Sequence, residues 1–204
     1  MSTLIAIDFE TSGLDPHHDR VTLAQYRINK EPVQLISNPD YAELHALLNS
    51  ADLIIGHGLS FDFGFIRYTP KSPTHWDDTL LMSRIVDFNK EKHTLDDVLI
   101  RKLGYDPYFG MDKKRLQKSD WTGQLTDEQM RYAKIDVEYL HTLYGQLSAA
   151  LESPAYKSDK LAAVDGLIVQ RNGLPVLRES VEQELEHQTR VFNAACSALP
   201  VNPL

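Results

Sequence analysis

Leu4-Ile5-Ala6-Ile7-Asp8-Phe9-Glu10-Thr11 opens as an unbroken apolar, β-branched run and then admits two acids just before Ser12-Gly13. A run this short and this apolar, halted by turn residues, reads as a strand buried on both faces. Successive side chains alternate across a strand, so Asp8 and Glu10, two apart, point to one side. Two carboxylates side by side at the end of a buried strand repel each other, and their protonated forms are favoured unless a cation intervenes. A plainer reading is a strand running out into solvent, where acidic residues are common. The pair alone does not decide between the two.

Outward from that strand, residues 21–28 and 32–36 read as two more strands, paired through a turn around Lys30. Residues 41–48 have helical spacing, and residues 52–55 form another short buried strand running into Gly56-His57-Gly58. Ser60 is placed to cap a helix over residues 61–68, which carries Asp62 in its first turn. Residues 79–86 and 94–103 are the next helices, with Gly104 at a helix end. The stretch 105–123 is looser. Thr126 with Gln129 then makes a capping box, with Leu125 and Met130 spaced as a hydrophobic staple. The helix that follows is expected to reach about residue 150, with Ala133, Val137, Leu140, Tyr144 and Leu147 as its core stripe. Tyr132 and Asp136 lie one turn apart on a neighbouring face and can converge on one point.

Three strands, a helix, a strand and then helices predict a mixed sheet covered by helices, an α/β or α+β layered fold. The character changes after Glu152-Ser153-Pro154. Leu161, Val164 and Ile168 mark one helix, ended by Asn172-Gly173. A second is expected over residues 180–198 with Val181, Leu185, Phe192 and Ala195 inward. Two such helices bury little alone, so the division is a main domain over 1–152 and a helical extension over 153–204.

Composition narrows the chemistry. With 204 residues, a formal charge of -8 and a pI near 5.4, the chain is not built to hold nucleic acid by bulk electrostatics. It can still meet phosphate through bound divalent ions, which call for a local excess of carboxylates. The lone Cys196 rules out an intrachain disulfide, and no apolar run is long enough to span a membrane, so a cytoplasmic protein is expected. The eight His show no zinc-finger spacing with Cys, neither Ser60 nor Cys196 sits in a nucleophile motif, and no Gly-rich phosphate loop is present.

Taken together, Ile7-Asp8-Phe9-Glu10-Thr11-Ser12-Gly13-Leu14, Phe61-Asp62 and Tyr132-Ala-Lys-Ile-Asp136 resemble the three motifs of DEDD-type 3′–5′ exonucleases, in the tyrosine branch. Asp78-Thr79 and His93-Thr-Leu-Asp-Asp97 also resemble the family pattern, and the likeness covers roughly residues 3–150. The histidine branch would place His five residues before Asp136, where this chain has Arg131. The resemblance implies a ribonuclease-H-like α/β fold, a five-stranded mixed sheet flanked by helices. It also implies two-metal phosphodiester hydrolysis, with the ions about 3.5–4 Å apart. By resemblance Asp8, Glu10, Asp62 and Asp136 hold two Mg²⁺ or Mn²⁺ ions and Tyr132 orients the attacking water. Thr11 and Leu14 match positions that bind and wedge the terminal nucleotide, with Phe61 beside them. The family usually has Asn four residues before Asp62; here that residue is Gly58, and His57 is the candidate to compensate. Tyr108 and Phe109 are candidate base-stacking residues, and Lys113-Lys114-Arg115 a candidate phosphate contact or a solvated face.

Two substrate classes fit the tyrosine branch. The stretch Leu167-Ile-Val-Gln-Arg-Asn-Gly173, with the final Val201-Asn202-Pro203-Leu204, resembles the join between exonuclease and polymerase in family A DNA polymerases. This favours a proofreading exonuclease acting on single-stranded DNA 3′ ends, as part of a polymerase or a separate subunit beside one. Beginning at Met1 without a 5′-nuclease domain resembles phage-type polymerases. A ribonuclease-D-like exoribonuclease is the alternative, and an inactive nucleic-acid-binding module a third.

Overall fold

The computed structural model describes residues 2–173 and 178–198, the side chains of 196–198 excepted. Cys196 as a side chain and the terminal stretch 201–204 therefore lie outside the described residues. Five strands form one mixed sheet in the order β3-β2-β1-β4-β5. They are β1 (Leu4–Thr11), β2 (Val21–Ile28), β3 (Gln34–Ser37), β4 (Leu53–Gly56) and β5 (Trp76–Asp78). β1 pairs antiparallel with β2 and parallel with β4, so it sits at the centre. The ribonuclease-H-like expectation of a five-stranded mixed sheet flanked by helices holds.

Both faces of β1 are buried, as its continuous apolar run requires. Ile5, Ile7 and Phe9 face α1 (Tyr41–Ser50), α2 (Leu59–Phe65) and α8 (Pro154–Asn172), where Leu44, Leu48, Phe63 and Leu167 complete a core. Ala6 belongs to the opposite core, with Met82 of α3 (Thr79–Val86), Val98 of α4 (Leu95–Leu103) and Leu116 of α5 (Lys113–Gln117). Ala133 of α6 (Asp127–Glu138) and Leu143 of α7 (Leu140–Gln146) close that side. The period of two then assigns Asp8 and Glu10 to the α6 side.

Several boundaries differ from the sequence reading. β3 begins two residues later, since Pro32 lacks the N–H a ladder needs. β5 was not recognised from residue pattern: three residues are too few to show a period. The helix expected to reach residue 150 is broken at Tyr139 and Leu147, giving α6, α7 and a 3₁₀ turn at Ser148–Glu152. Its stripe survives, with Ala133, Val137, Leu140 and Leu147 all buried. The Thr126/Gln129 capping box is present in both directions.

The chain forms two compact units, Met1–Arg171 and Asn172–Leu204. α8 carries most of its length in the first. Its inward residues are Tyr156, Lys160 and Leu167, with Ala163 and Val164 packed partly, whereas Leu161 and Ile168 face solvent. In the second unit α9 (Arg178–Ala198) leaves Val181, Leu185 and Phe192 exposed, against the expectation that they turn inward. Among the described residues of so small a unit no second apolar surface covers them. Among the described residues no helix is long and apolar enough to cross a membrane.

Candidate active site

The parallel strands β1 and β4 end side by side, and the crevice outside such ends is where open α/β sheets bind ligands. Here a cleft of about 530 Å³ is lined by Asp8, Glu10, His57, Gly58, Phe61, Asp62, Leu80, Leu95, Gln117, Tyr132 and Asp136, among others. Asp8, Glu10 and Asp136 each offer a carboxylate oxygen, and these atoms lie within 4.8 Å of one another. Among the described residues this is the one such group of three or more acids, His or Cys. Asp62 is delivered separately by α2, buried, with Oδ1 lacking a hydrogen-bond partner.

How α2 starts decides where Asp62 goes. Ser60 does not cap it: the helix begins at Leu59, and its N-cap is Gly58 at φ 87° and ψ 36°. That left-handed conformation favours glycine, so a backbone requirement occupies the position where the family usually has Asn. The open amides are met by Asp78 at the end of β5. Its Oδ1 accepts from Gly58 N at 2.9 Å and its Oδ2 from Leu59 N at 2.9 Å, while Oδ1 also accepts from Leu80 N at 2.8 Å to cap α3. One carboxylate thus fixes two helix starts.

Electrostatics show what the cluster lacks. Burial pushes Asp8 up to about 7, opposed by Gln25, whose Nε2 donates to Asp8 Oδ2 at 2.6 Å. Glu10 is held well above the carboxylate range by burial and then by the charges of Asp8 and Asp62. Burial and the Asp8 charge do the same to Asp62 and to Asp136. Asp136 lies in the last turn of α6, where the helix dipole is also unfavourable to an anion. Four acids raised together, one with an orphaned oxygen, would be relieved by positive charge. An all-oxygen donor set suits a hard divalent cation, so the residues fit the metal chemistry that the resemblance implies.

Tyr132 sits in the same cleft, its ring packed against Tyr108 and Trp121 at centroid distances of 5.6 and 6.3 Å. Burial and the Asp136 charge push its phenol up, so it stays protonated. His57 also lines the cleft, but Nε2 is engaged with the His93 carbonyl at 2.8 Å and Nδ1 with Thr79 Oγ1 at 3.0 Å. Burial pulls its imidazole down, toward the neutral form. Phe61 is a half-exposed wall of the cleft. Thr11 and Leu14 are not among its lining residues: the Thr11 hydroxyl donates to the Gly13 carbonyl at 2.6 Å, and Leu14 is exposed.

One aromatic expectation needs correction. Tyr108 is 2 % exposed and offers no stacking face; Phe109, beside it, is 83 % exposed. In the basic run Lys113 pairs with Asp96 and Arg115 with Glu128, and Lys114 and Arg115 are exposed, so the solvated-face reading and the phosphate-contact reading both stand. Gln25 and Gln117 were missed. Gln25 had a legible signal, because it breaks the Leu23 row of β2 with a polar side chain opposite Asp8 in register. Gln117 had none.

Comparison with known proteins gives the family. Residues 1–152 match the 3′–5′ exonuclease family. Over 164 residues the chain is 31% identical to DNA polymerase I of Aquifex aeolicus (strain VF5), covering 78% of this chain and 26% of that polymerase. The chain thus spans about a quarter of that relative's length. Among solved structures it resembles one described as the apo form of a nuclease, at 28% identity and TM-score 0.66, with 83% of each chain covered. Brucella melitensis NrnC bound to pGG is 25% identical with TM-score 0.66, covering 84% of each chain. The match over three quarters of its length and the acidic cleft concur: this chain belongs to the DEDD-type 3′–5′ exonucleases, a family of hydrolytic nucleases.

Proposed function

We propose that this chain removes nucleoside monophosphates one at a time from single-stranded or frayed DNA 3′ ends, proofreading for a family A polymerase domain or subunit. The observation that carries the nuclease reading is the convergence of Asp8, Glu10 and Asp136 within 4.8 Å, with Asp62 and Tyr132 lining the same cleft. Asp8, Glu10, Asp62 and Asp136 would hold two Mg²⁺ or Mn²⁺ ions, which supply Lewis acidity to water and to the phosphodiester. Tyr132 keeps its proton and donates a hydrogen bond that orients the attacking water. Phe61, Leu80 and Leu95 give the terminal nucleotide an apolar wall. His57, neutral and tied on both nitrogens, shapes the cleft without adding charge. Thr11 and Leu14 bind and wedge the terminal nucleotide once it is seated. On this reading the exonuclease domain expected over residues 1–152 is completed by α8 up to Arg171, and the rest of 153–204 is a helical extension in a cytoplasmic protein.

The DNA assignment leans on the DNA polymerase I likeness, which reaches only a quarter of that protein. A second reading, trimming of RNA or short oligonucleotides, is favoured by the likeness to NrnC bound to pGG, which extends over 84% of both chains. A denaturing-gel time course on 5′-labelled single-stranded DNA and RNA, with and without chelator, separates them. One-nucleotide steps from the 3′ end, lost in chelator and faster on DNA, are expected. Equal or faster digestion of RNA would give the second reading precedence. No ladder on either substrate would leave only the inactive binding module.

A further inference from the structure

The stretch 105–117 reads as loose in sequence, yet its side chains converge on Tyr132 and Asp136 from outside. The Tyr108 hydroxyl donates to Asp136 Oδ1 at 2.5 Å, in a position too buried to touch substrate. The Tyr108 ring is held by Tyr132 on one side and by Lys113, whose Nζ lies 4.3 Å from the ring centroid. Lys113 is itself anchored by its ion pair with Asp96. One helix turn further, Gln117 Nε2 donates to the Tyr132 hydroxyl at 3.3 Å. A phenol needs one partner when buried; this one spends its only proton on a candidate metal ligand.

We infer that Tyr108 and Gln117 are positioning residues for the nuclease reaction, with Lys113 as their strut. Tyr108 fixes the rotamer of Asp136 by occupying one carboxylate oxygen, which leaves the other for a cation. Gln117 occupies a lone pair of the Tyr132 hydroxyl, so the phenolic proton remains available to the cleft. The first acts on cation affinity and the second on turnover. Partners that orient metal ligands in this way are worth about 10–100-fold in affinity or activity when removed. The inference rests on the two-cation reading of the site.

The test uses the full chain, titrated with Mn²⁺ alone and assayed on 5′-labelled single-stranded oligonucleotides. Tyr108→Phe keeps the ring and its cation–π contact and removes only the hydroxyl. It is expected to raise the Mn²⁺ half-saturation by about 10-fold or more, with KM for oligonucleotide unchanged at saturating Mn²⁺. Gln117→Ala is expected to leave the Mn²⁺ curve in place and lower kcat, and that loss should vanish in a Tyr132→Phe background. A Tyr108→Phe chain that melts earlier but binds Mn²⁺ like the parent would reduce the hydrogen bond to plain packing and overturn its role. Additive losses in the double variant would put Gln117 on the substrate instead. If the parent chain neither binds Mn²⁺ nor cleaves, it is the two-cation reading that fails, an outcome distinct from these.

Discussion

Asp8 links the site's electrostatics: after burial, its charge is the next cause that raises Glu10, Asp62 and Asp136 alike. Asp8→Ala should therefore abolish cleavage, by on the order of 10³-fold or more, because both cations lose a shared anchor. The fold should survive: relief of repulsion offsets the unpartnered Gln25 amide, itself a cost of about 1–3 kcal/mol. Cleavage at the parental rate by that variant would remove the assignment. The same residues dictate a pH response. With Asp8 near 7 and the others well above their usual range, the cation-free folded chain binds more protons near neutrality than the unfolded chain. Stability must then fall as pH rises through that range. His57 and His141, lowered by burial, act in the opposite sense but are spent above about pH 6.5. Melting temperature in chelator should accordingly drop between about pH 6.5 and 8, and Mn²⁺ should flatten or reverse that slope. A chelator curve that is flat or rising there would mean the acids titrate normally.

Elements explain what could be read in advance and what could not. β1 and β4 were legible because a strand buried on both faces must be apolar, and the Thr126 capping box because its two hydrogen bonds are local. β5 and the start of α2 were not. Each depends on a partner far along the chain: β5 on β4, and α2 on the Asp78 carboxylate twenty residues past Gly58. Of the site, the four acids and Tyr132 could be found from spacing and resemblance, while the buried role of Tyr108 could not, since an aromatic in a Pro/Gly-rich stretch carries no sign of which way it faces. Gly58 is where this bears on a measurement. At φ 87° a Cβ is strained whatever the space, and a built one meets only Leu80 Cδ2 at 3.7 Å, so the cost is conformational rather than steric. Gly58→Ala should lose about 1–2 kcal/mol, a drop of about 2–8 °C. Gly58→Asn should lose less, since Asn tolerates this region. Equal melting for both variants would show that the Asp78 cap, not the left-handed backbone, governs the start of α2.

For the molecule as a whole, the sheet's edge determines where the nuclease unit ends. β5 is the edge strand beside β4, three residues long, and α8 is hydrogen-bonded to it. Lys160 lies buried there with all three donors used, to the carbonyls of Pro73 (2.7 Å) and Trp76 (2.5 Å) and to Asp77 Oδ1 (2.7 Å). The Tyr156 hydroxyl donates to Asp77 Oδ1 at 2.7 Å and accepts from Asp78 N at 3.1 Å; Tyr144 donates to Asp77 Oδ2 at 2.9 Å. The next residue, Asp78, caps the helix that carries Asp62. A helix beyond the family match at residue 152 is thus tied by two side chains to the strand that sets the cleft. Removing one member of a buried ion pair costs about 3–5 kcal/mol, a large share of the 5–15 kcal/mol that holds a domain together. Lys160→Met should accordingly lower the melting temperature by about 10 °C. A chain ending at Glu152 loses Lys160, Tyr156 and Leu167 together and should not melt cooperatively, whereas one ending at Arg171 keeps all three and should. Urea denaturation of the two truncated chains, followed by Trp76 and Trp121 fluorescence, reads this directly. A cooperative transition from the shorter chain, at the midpoint of the longer, would show that α8 is an appendage to the nuclease and not part of its frame.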